Sequence, residues 1–331
     1  MRETIRRPAY HRLGAAAASA VVMLGLAACT SAKGGTDASG SESKLILVEL
    51  SFPCGLNDYA KQLCAGATAE GKRLPNGFNV EIKTGIDYGD ITAYNSLIQT
   101  SMQLHPAGLV IFPNGPAAQT QMLNQGCDRG IHVIIMDSPA TGVKCQSSFV
   151  GANHYQLGVL DGKWLIAHPP TSKNVGVVTL QPGEYQSNDD RVRGFTDTAE
   201  AAGFRVVATV VTDNSLDKTR TQVANMLTAH PDLGAVFSAN SPMAQGTIQA
   251  LKGHRGIDHL TVDGNVSDVA NILNGAISAD AAQDPYDQGV LAVRYMAQVI
   301  EGHAVPAKTY TPAKVVDKTN AEAYRAGGGM H

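Results

Sequence analysis

Short apolar runs rich in β-branched residues alternate with amphipathic helical stretches along most of the chain, and this alternation constrains the fold most. Helical stretches such as 58–74, 94–104, 191–202 and 218–229 lie between the apolar runs. Strict alternation of strand and helix predicts parallel sheets with helices on both faces. The predicted strands are 45–50, 79–83, 108–112, 132–137, 148–152, 174–180, 205–211, 235–239, 260–263 and 277–283.

Ten strands are too many for one comfortable sheet, and their order repeats after about five. The sequence therefore predicts an α/β fold of two similar lobes, each with a doubly wound parallel sheet.

The first 28 residues read as an export signal rather than as part of the fold. Four arginines precede the apolar run 14–28, whose 15 residues are too few to span a bilayer comfortably. The run ends in Leu26-Ala27-Ala28-Cys29, which resembles the lipobox of bacterial lipoproteins, where the cysteine is lipidated. The alternative is an ordinary signal peptide. Residues 29–44 then predict a lipidated Cys29 on a flexible, polar tether.

The charge balance argues against nucleic acid as a partner. The formal net charge is −3, with acidic and basic residues interspersed, whereas binding to phosphates needs a basic face.

Four cysteines remain besides Cys29, and they allow three disulfide pairings. We prefer Cys54 with Cys64 and Cys127 with Cys145, because each pair closes a short loop beside a strand. A metal site would need tighter spacing such as CxxC, so we expect neither a metal nor a cofactor.

Planar hydrogen-bonding side chains end four of the predicted strands: Asp137, Asn240, Asp263 and Gln283. Ligands of open parallel sheets bind at the carboxyl ends of the strands. Each residue alone could instead cap the following helix, but four in one topological position predict a ligand site.

Together with Arg191, this set suits neighbouring hydroxyl groups, because carboxylates, amides and a guanidinium can each bond two oxygens at once. A polyhydroxylated small molecule is therefore the predicted ligand. Tyr59 either offers an apolar face to a sugar ring or packs on its own sheet.

An enzyme is the alternative from another class. Asp137 and Asp263 could serve as the acid and nucleophile of a glycosidase. The sequence, however, contains no GxSxG, HExxH, P-loop or GxGxxG motif in a suitable place. We therefore expect a protein that is not an enzyme.

Several segments resemble the type I periplasmic sugar-binding proteins of ABC importers, in their ribose-binding-like branch. "LTAHPDLGAVFSANSPMAQGTIQAL" and "GIHVIIMDSPA" are similar to two of its characteristic segments. "RVRGF" fits its RxxGF, and "DAAQDPYDQG" fits its Q-P-x-x-x-G segment with an inserted aspartate. The similarity extends from residue 45 to about residue 318.

The resemblance implies sugar capture between two lobes joined by three chain crossings, with hinge closure and delivery to a membrane permease and its ATPase. The implied lobes are 45–152 with 284–306, and 153–283 with 307–320, followed by a tail at 321–331. A monomer, anchored to the outside of the cell membrane through Cys29, is expected. The ligand-contacting positions are Asn57, Tyr59, Asp137, Ser138, Arg191, Asn214, Asn240, Asp263 and Gln283.

Three departures from the family pattern bear on the ligand. Ser138 stands where pyranose binders often have arginine, Tyr59-Ala60 stands where they have two aromatics, and Asn214 lies near a position that is aromatic in ribose binders. The departures favour a pentose, a furanose-like sugar or an open-chain polyol. A receptor that presents a sugar-like signal to a membrane sensor and an exported carbohydrate-active hydrolase are the alternative functions.

Overall fold

The computed structural model describes residues 43–87, 89–114 and 116–330, with no account of the side chain of residue 116. Within these residues twelve strands form two six-stranded sheets. All ten predicted strands are present. The strands are β1 (Lys44–Leu50), β2 (Phe78–Thr84), β3 (Gly108–Ile111), β4 (His132–Met136), β5 (Gln146–Gly151), β6 (Asn174–Thr179), β7 (Arg205–Val211), β8 (Leu233–Ser238), β9 (Asp258–Asp263), β10 (Ala279–Gln283), β11 (Lys308–Tyr310) and β12 (Ala313–Asp317).

The two sheets repeat one topology. Their strand orders are β11-β5-β4-β3-β1-β2 and β12-β10-β9-β8-β6-β7. All pairs are parallel except β12, which runs antiparallel to β10 at the edge of the second sheet. Each sheet reverses its order between its first and third strands, so loops diverge there and leave a crevice at the carboxyl ends. The expectation of two similar doubly wound lobes is confirmed.

Both faces of the sheets are covered. In β1, Ile46, Val48 and Leu50 pack into one core cluster, whereas the intervening Leu47 packs into another on the opposite face. Such strands read as continuous apolar runs because neither face meets water. The helices that cover them are α1 (Asp58–Gly71), α2 (Ile91–Gln103), α3 (Pro116–Cys127), α4 (His154–Ala167), α5 (Gln186–Ala201), α6 (Leu216–Ala229), α7 (Ser241–Ala250), α8 (Val269–Leu273), α9 (Pro285–Ile300) and α10 (Ala321–Ala326).

Glycines let α4 and α5 cross at backbone contact. A Cβ at Gly158 would lie 2.0 Å from the carbonyl oxygen of Arg191, and one at Gly194 would lie 2.0 Å from that of Tyr155. Larger residues would push the helices apart. This close crossing brings the first turn of α4 against the side of α5 that carries Arg191.

The chain crosses between the lobes three times. It leaves the first lobe after β5, at 152–153, and returns after β10, at Asp284, close to the expected positions. The third crossing lies at 311–312 rather than at the expected 306/307 boundary. The reason is that β11 pairs with Phe149–Gly151 of β5 and so belongs to the first lobe.

The predicted tail at 321–331 is also corrected by the structure. Ala321 and Tyr324 of α10 are buried against Val269 and Ile272 of α8, and Met330 packs beside them. The Tyr324 hydroxyl donates a hydrogen bond to the carbonyl of Gly264. Residues 321–330 are therefore part of the second lobe.

Two disulfides link Cys54 to Cys64 and Cys127 to Cys145, which is the preferred pairing. The predicted signal peptide and Cys29 lie outside the described residues. Within the described part of the chain, no helix combines the length and apolar character needed to cross a membrane.

We expect Cys127→Ser/Cys145→Ser to lower the free energy of unfolding by about 3 kcal/mol, because the bond restricts the unfolded chain by closing a loop in it. Its sequence separation is 18 residues, against 10 for Cys54–Cys64. Cys54→Ser/Cys64→Ser is the matched control and should cost about 0.5 kcal/mol less. Urea unfolding under oxidising conditions measures both, and an unchanged midpoint for the first variant would contradict the entropic account.

Candidate functional site

Side chains from both sheets converge on an inner chamber of about 40 Å³ between the lobes. The chamber lies at the carboxyl ends of the strands, where parallel sheets bind ligands. Seven of the nine predicted ligand-contacting residues line it. The lining residues are Tyr59, Phe112, Asp137, Leu180, Tyr185, Ser187, Asn188, Arg191, Asn214, Asn240, Pro242, Asp263 and Gln283.

The other two predicted residues lie elsewhere. Ser138 is buried and accepts a hydrogen bond on Oγ from the backbone N–H of Ser187, at 3.4 Å. Asn57 lines a larger cavity outside the chamber, and its side chain caps α1 by accepting from the N–H of Ala60 at 2.8 Å. Asn57 thus caps a helix and lines the larger cavity rather than the chamber.

Arg191 is the centre of the hydrogen-bond network around the chamber. It is 6% exposed and lies inside α5, which begins at Gln186, rather than at the helix start as predicted. Its guanidinium bonds Asp263 at 3.0 Å, the carbonyl of Ala239 at 3.0 Å and Nδ1 of His154 at 3.2 Å. A buried cation needs such partners, because desolvation is costly.

His154 links Arg191 to the first lobe. Because the Arg191 Nε–H donates to Nδ1, the imidazole proton lies on Nε2, which donates to the Asp137 carbonyl at 2.8 Å. Burial and the neighbouring Arg191 lower the pKa of His154 to about 3. The ring is therefore neutral near pH 7, and its 3.6 Å approach to the Asp137 carboxylate is not an ion pair.

A second arm of the network runs from Asp263 toward the first lobe. Gln283 donates to Asp263 at 2.9 Å, Gln288 donates to Gln283 at 3.1 Å, and Tyr59 donates to Gln288 at 3.2 Å. Gln283 ends β10 and Gln288 lies in α9, so this arm spans the second crossing between the lobes.

Asn240 and Asn214 form one edge of the chamber. Oδ1 of Asn240 caps α7 by accepting from the N–H of Met243 at 3.0 Å, while its Nδ2 donates to Asn214 at 3.0 Å. Capping and lining the chamber are thus compatible, because the two functions use different atoms of one amide.

Asp137 is 1% exposed, and its Oδ1 has no hydrogen-bond partner among the described residues. Burial raises the pKa of Asp137 to about 6, although Arg191, Tyr59 and Gln288 oppose the shift. An unsatisfied buried carboxylate oxygen is costly and is a ready acceptor for a hydroxyl group.

Three lining residues adopt positive φ: Asp137 at 59°, Asn214 at 65° and Asp263 at 125°. Such backbone strain in residues other than glycine concentrates at ligand sites, where the surrounding structure enforces it. The backbone at these three positions therefore holds the side chains in place around the chamber.

The sequence patterns did not predict the aromatic wall of Phe112 and Tyr185 or the two polar residues Asn188 and His154. The rings of Phe112 and Tyr185 meet edge to face, with centroids 6.4 Å apart. Asn188 lies one helical turn before Arg191, and its Nδ2 donates to Thr179 at 2.6 Å, while its Oδ1 lacks a partner among the described residues. Phe112 directly follows β3, so its position at the carboxyl end of a strand could have identified it. His154 does not follow a strand directly, and no sequence pattern marks it as part of the site.

The two lobes are in contact across the cleft. Asn114 of the first lobe donates to the Tyr185 hydroxyl at 3.1 Å, and the N–H of Ser267 donates to Asp58 at 2.9 Å. The structure therefore shows a closed arrangement. In the described part of the chain, no group of three or more His, Cys, Asp or Glu side chains is placed to hold a metal.

Two lobes, three crossings and a polar chamber between the sheets are the architecture of a two-lobed solute-binding protein. A family profile described as a periplasmic binding protein domain matches residues 48–304, and the chain belongs to this family of extracytoplasmic binding proteins.

Relatives of this chain are binding proteins of sugars and related solutes. Ribose import binding protein RbsB of Escherichia coli strain K12 is 30% identical over 294 residues, covering 82% of this chain and 96% of that protein. An ABC transporter solute binding protein of Mycobacterium smegmatis with bound glycerol is 28% identical, with a TM-score of 0.75 over 85% of this chain and 96% of that chain.

A carbohydrate transporter solute binding protein of Agrobacterium radiobacter, in complex with D-arabinose, shares the fold. Its TM-score is 0.79 at 24% identity, covering 87% of this chain and 99% of that chain.

We expect His154→Ala to lower the free energy of unfolding by about 1–3 kcal/mol, since it leaves Nε of buried Arg191 and the carbonyl of Asp137 without their partner. His154→Gln should lose less, because an amide offers both a donor and an acceptor. Urea unfolding measures both variants. His303→Ala, at an exposed position, is the control, and an equal effect there would refute the role of His154.

Proposed function

We propose that this chain is the substrate-binding lipoprotein of a carbohydrate ABC transporter, and that it captures a small sugar or sugar alcohol by hinge closure. The observation that supports this best is the inner chamber itself. It combines an unsatisfied, buried Asp137 oxygen with a guanidinium whose charge is already paired with Asp263 and whose Nε and Nη1 are already hydrogen-bonded. The chamber thus offers mainly acceptors and amides to neutral hydroxyls, rather than an open cation to an anion.

The walls of the chamber also suit a sugar. A sugar ring presents hydroxyl groups around its edge and C–H groups on its faces, and aromatic rings pack well against such faces. Tyr185 and Phe112 supply aromatic surface, while Asp137, Asn188, Asn214 and Asn240 supply hydrogen-bonding groups.

Within the sugars, a pentose or an open-chain polyol is favoured. Many pyranose binders have an arginine at the position of Ser138, so this chain has one cation fewer there. Asn214 lies near a position that is aromatic in ribose binders, and it offers an amide instead of a ring face. The bound glycerol and D-arabinose of the two solved relatives are consistent with small polyhydroxylated ligands.

Delivery to a membrane permease with its ATPase is the proposed fate of the ligand. A lipid on Cys29, followed by the polar tether, would keep the monomeric body beside the permease on the outer side of the membrane. Support for the anchor comes from the sequence Leu26-Ala27-Ala28-Cys29, and support for the permease comes from the family.

A thermal-shift panel tests this function. At about 100 times Kd, a specific ligand stabilises the folded state by about 2.7 kcal/mol, which corresponds to a shift in Tm of roughly 5 °C. We expect D-ribose, D-arabinose or ribitol to produce it, and Asp137→Asn to reduce it. Tight binding of D-glucose with no response to pentoses or polyols would refute the ligand class. Turnover of a glycoside, abolished in Asp137→Asn, would instead favour the hydrolase.

The affinity should also depend on pH. A ligand hydroxyl donates to the ionised form of Asp137, whose pKa is about 6 because of burial. Protonation therefore competes with the ligand, and we expect Kd to rise by up to about tenfold per pH unit below about pH 6.

Calorimetric titrations from about pH 8 down to pH 5 measure this dependence. His154, with its pKa near 3, remains neutral throughout this range. Asp137→Asn should bind more weakly but without the pH dependence. A wild-type Kd that stays constant over the range would contradict a hydrogen bond to ionised Asp137.

A further inference from the structure

A second, larger cavity of about 890 Å³ lies between the lobes, next to the inner chamber. Asn214 and Pro242 line both spaces, so the two are neighbours across these residues. We propose that the captured sugar carries a second group that occupies this outer cavity, so that the ligand is a glycoside rather than a free monosaccharide. This proposal rests on the proposed function and specifies its ligand.

The volumes support the division of the ligand between two spaces. An inner chamber of 40 Å³ corresponds to roughly three water molecules, whereas ligand pockets typically enclose about 300–1,000 Å³. The outer cavity falls within that range although the lobes already touch. A ligand that places its sugar against the lining of the chamber can therefore extend its remaining atoms into the outer cavity without opening the lobes.

Both lobes contribute polar groups to the outer cavity. Asn57, Asp87 and Asp90 come from the first lobe, and Asn265 and Ser267 from the second. A group in this space would touch both lobes and would favour the closed state, because it binds that arrangement better than an open one. The inner chamber adds an independent sign of a ligand through the unpartnered oxygens of Asp137 and Asn188.

The charge of the lining selects the second group. Four aspartates line the outer cavity, Asp87, Asp90, Asp213 and Asp268, and no Lys, Arg or His does so among the described residues. Lys218 pairs with Asp213 at 3.3 Å but leaves the others uncompensated in the lining. A second group with negative charge is therefore disfavoured, while an uncharged or positively charged group is accepted.

Leu56 gives the cavity an apolar side. It is 47% exposed, and it shares the lining with Pro242. Such surface can pack against the carbon atoms of a linker or ring, so the second group need not be fully hydroxylated.

Calorimetry with matched probes tests the proposal. The probes are D-ribose, D-arabinose and D-allose, and the 2-hydroxyethyl, 2-aminoethyl and carboxymethyl glycosides of each. For the sugar that binds, we expect the hydroxyethyl and aminoethyl glycosides to bind at least about tenfold more tightly than the free sugar. The carboxymethyl glycoside should bind at least about tenfold more weakly than the aminoethyl glycoside.

Ser215→Trp fills the outer cavity from its exposed rim, while Asn225→Trp places the same bulk on the exposed side of α6, away from the lining. We expect Ser215→Trp to weaken glycoside binding about tenfold and to change free-sugar binding less than about twofold. The Asn225→Trp control should change neither.

The outcomes separate this proposal from the proposed function. If free sugars bind and every glycoside binds more weakly, the outer cavity does not hold a second group, while sugar capture stands. An equal loss for sugar and glycoside in Ser215→Trp also overturns the proposal, because the cavity would then serve closure alone. Binding of ribitol alone overturns the glycoside proposal, while failure of ribitol and of all sugars and glycosides to bind overturns the proposed function itself.

Discussion

The buried guanidinium of Arg191 is the interaction on which the rest of the site depends. It bonds a carboxylate, a carbonyl and an imidazole, and each partner comes from a different element. Removing a single partner from a buried ion pair costs roughly 3–5 kcal/mol, because the remaining charge is left uncompensated. Asp263, Ala239 and His154 must therefore keep their positions together.

Through these partners Arg191 joins the ligand chamber to the hinge. His154 begins α4 immediately after the first crossing and bonds the backbone of Asp137 in the other lobe. Asp263 accepts a hydrogen bond from Gln283, which is the last residue of β10 and lies next to the second crossing. The groups that hold the chamber in shape are thus the groups that connect the lobes. A change in the relative position of the lobes therefore also changes the shape of the chamber.

The strand ends could be predicted from the sequence because topology places them all at one edge. Asp137, Asn240, Asp263 and Gln283 meet there whatever the details of the loops. His154 and Gln288 could not be found in this way, since they lie on helices rather than at strand ends and act through other side chains. Asn57 lies in the outer cavity rather than in the chamber, and its cap on α1 was not foreseen, because an asparagine before a helix satisfies the capping and the binding patterns equally. The short strand β11 escaped prediction because three residues show no periodicity, and the third crossing was misplaced with it.

The unsatisfied oxygen of Asp137 explains how a ligand can drive closure. Closing the lobes removes this carboxylate from water, which costs about 1–3 kcal/mol or more while no donor replaces the lost hydration. A hydroxyl that donates to Oδ1 removes that cost in the closed state, whereas in an open cleft water already does so. A ligand bound in the proposed way therefore stabilises the closed state selectively, which is the requirement for shifting a conformational equilibrium. The raised pKa of Asp137 reports the same desolvation cost, so capture and proton binding compete for one oxygen.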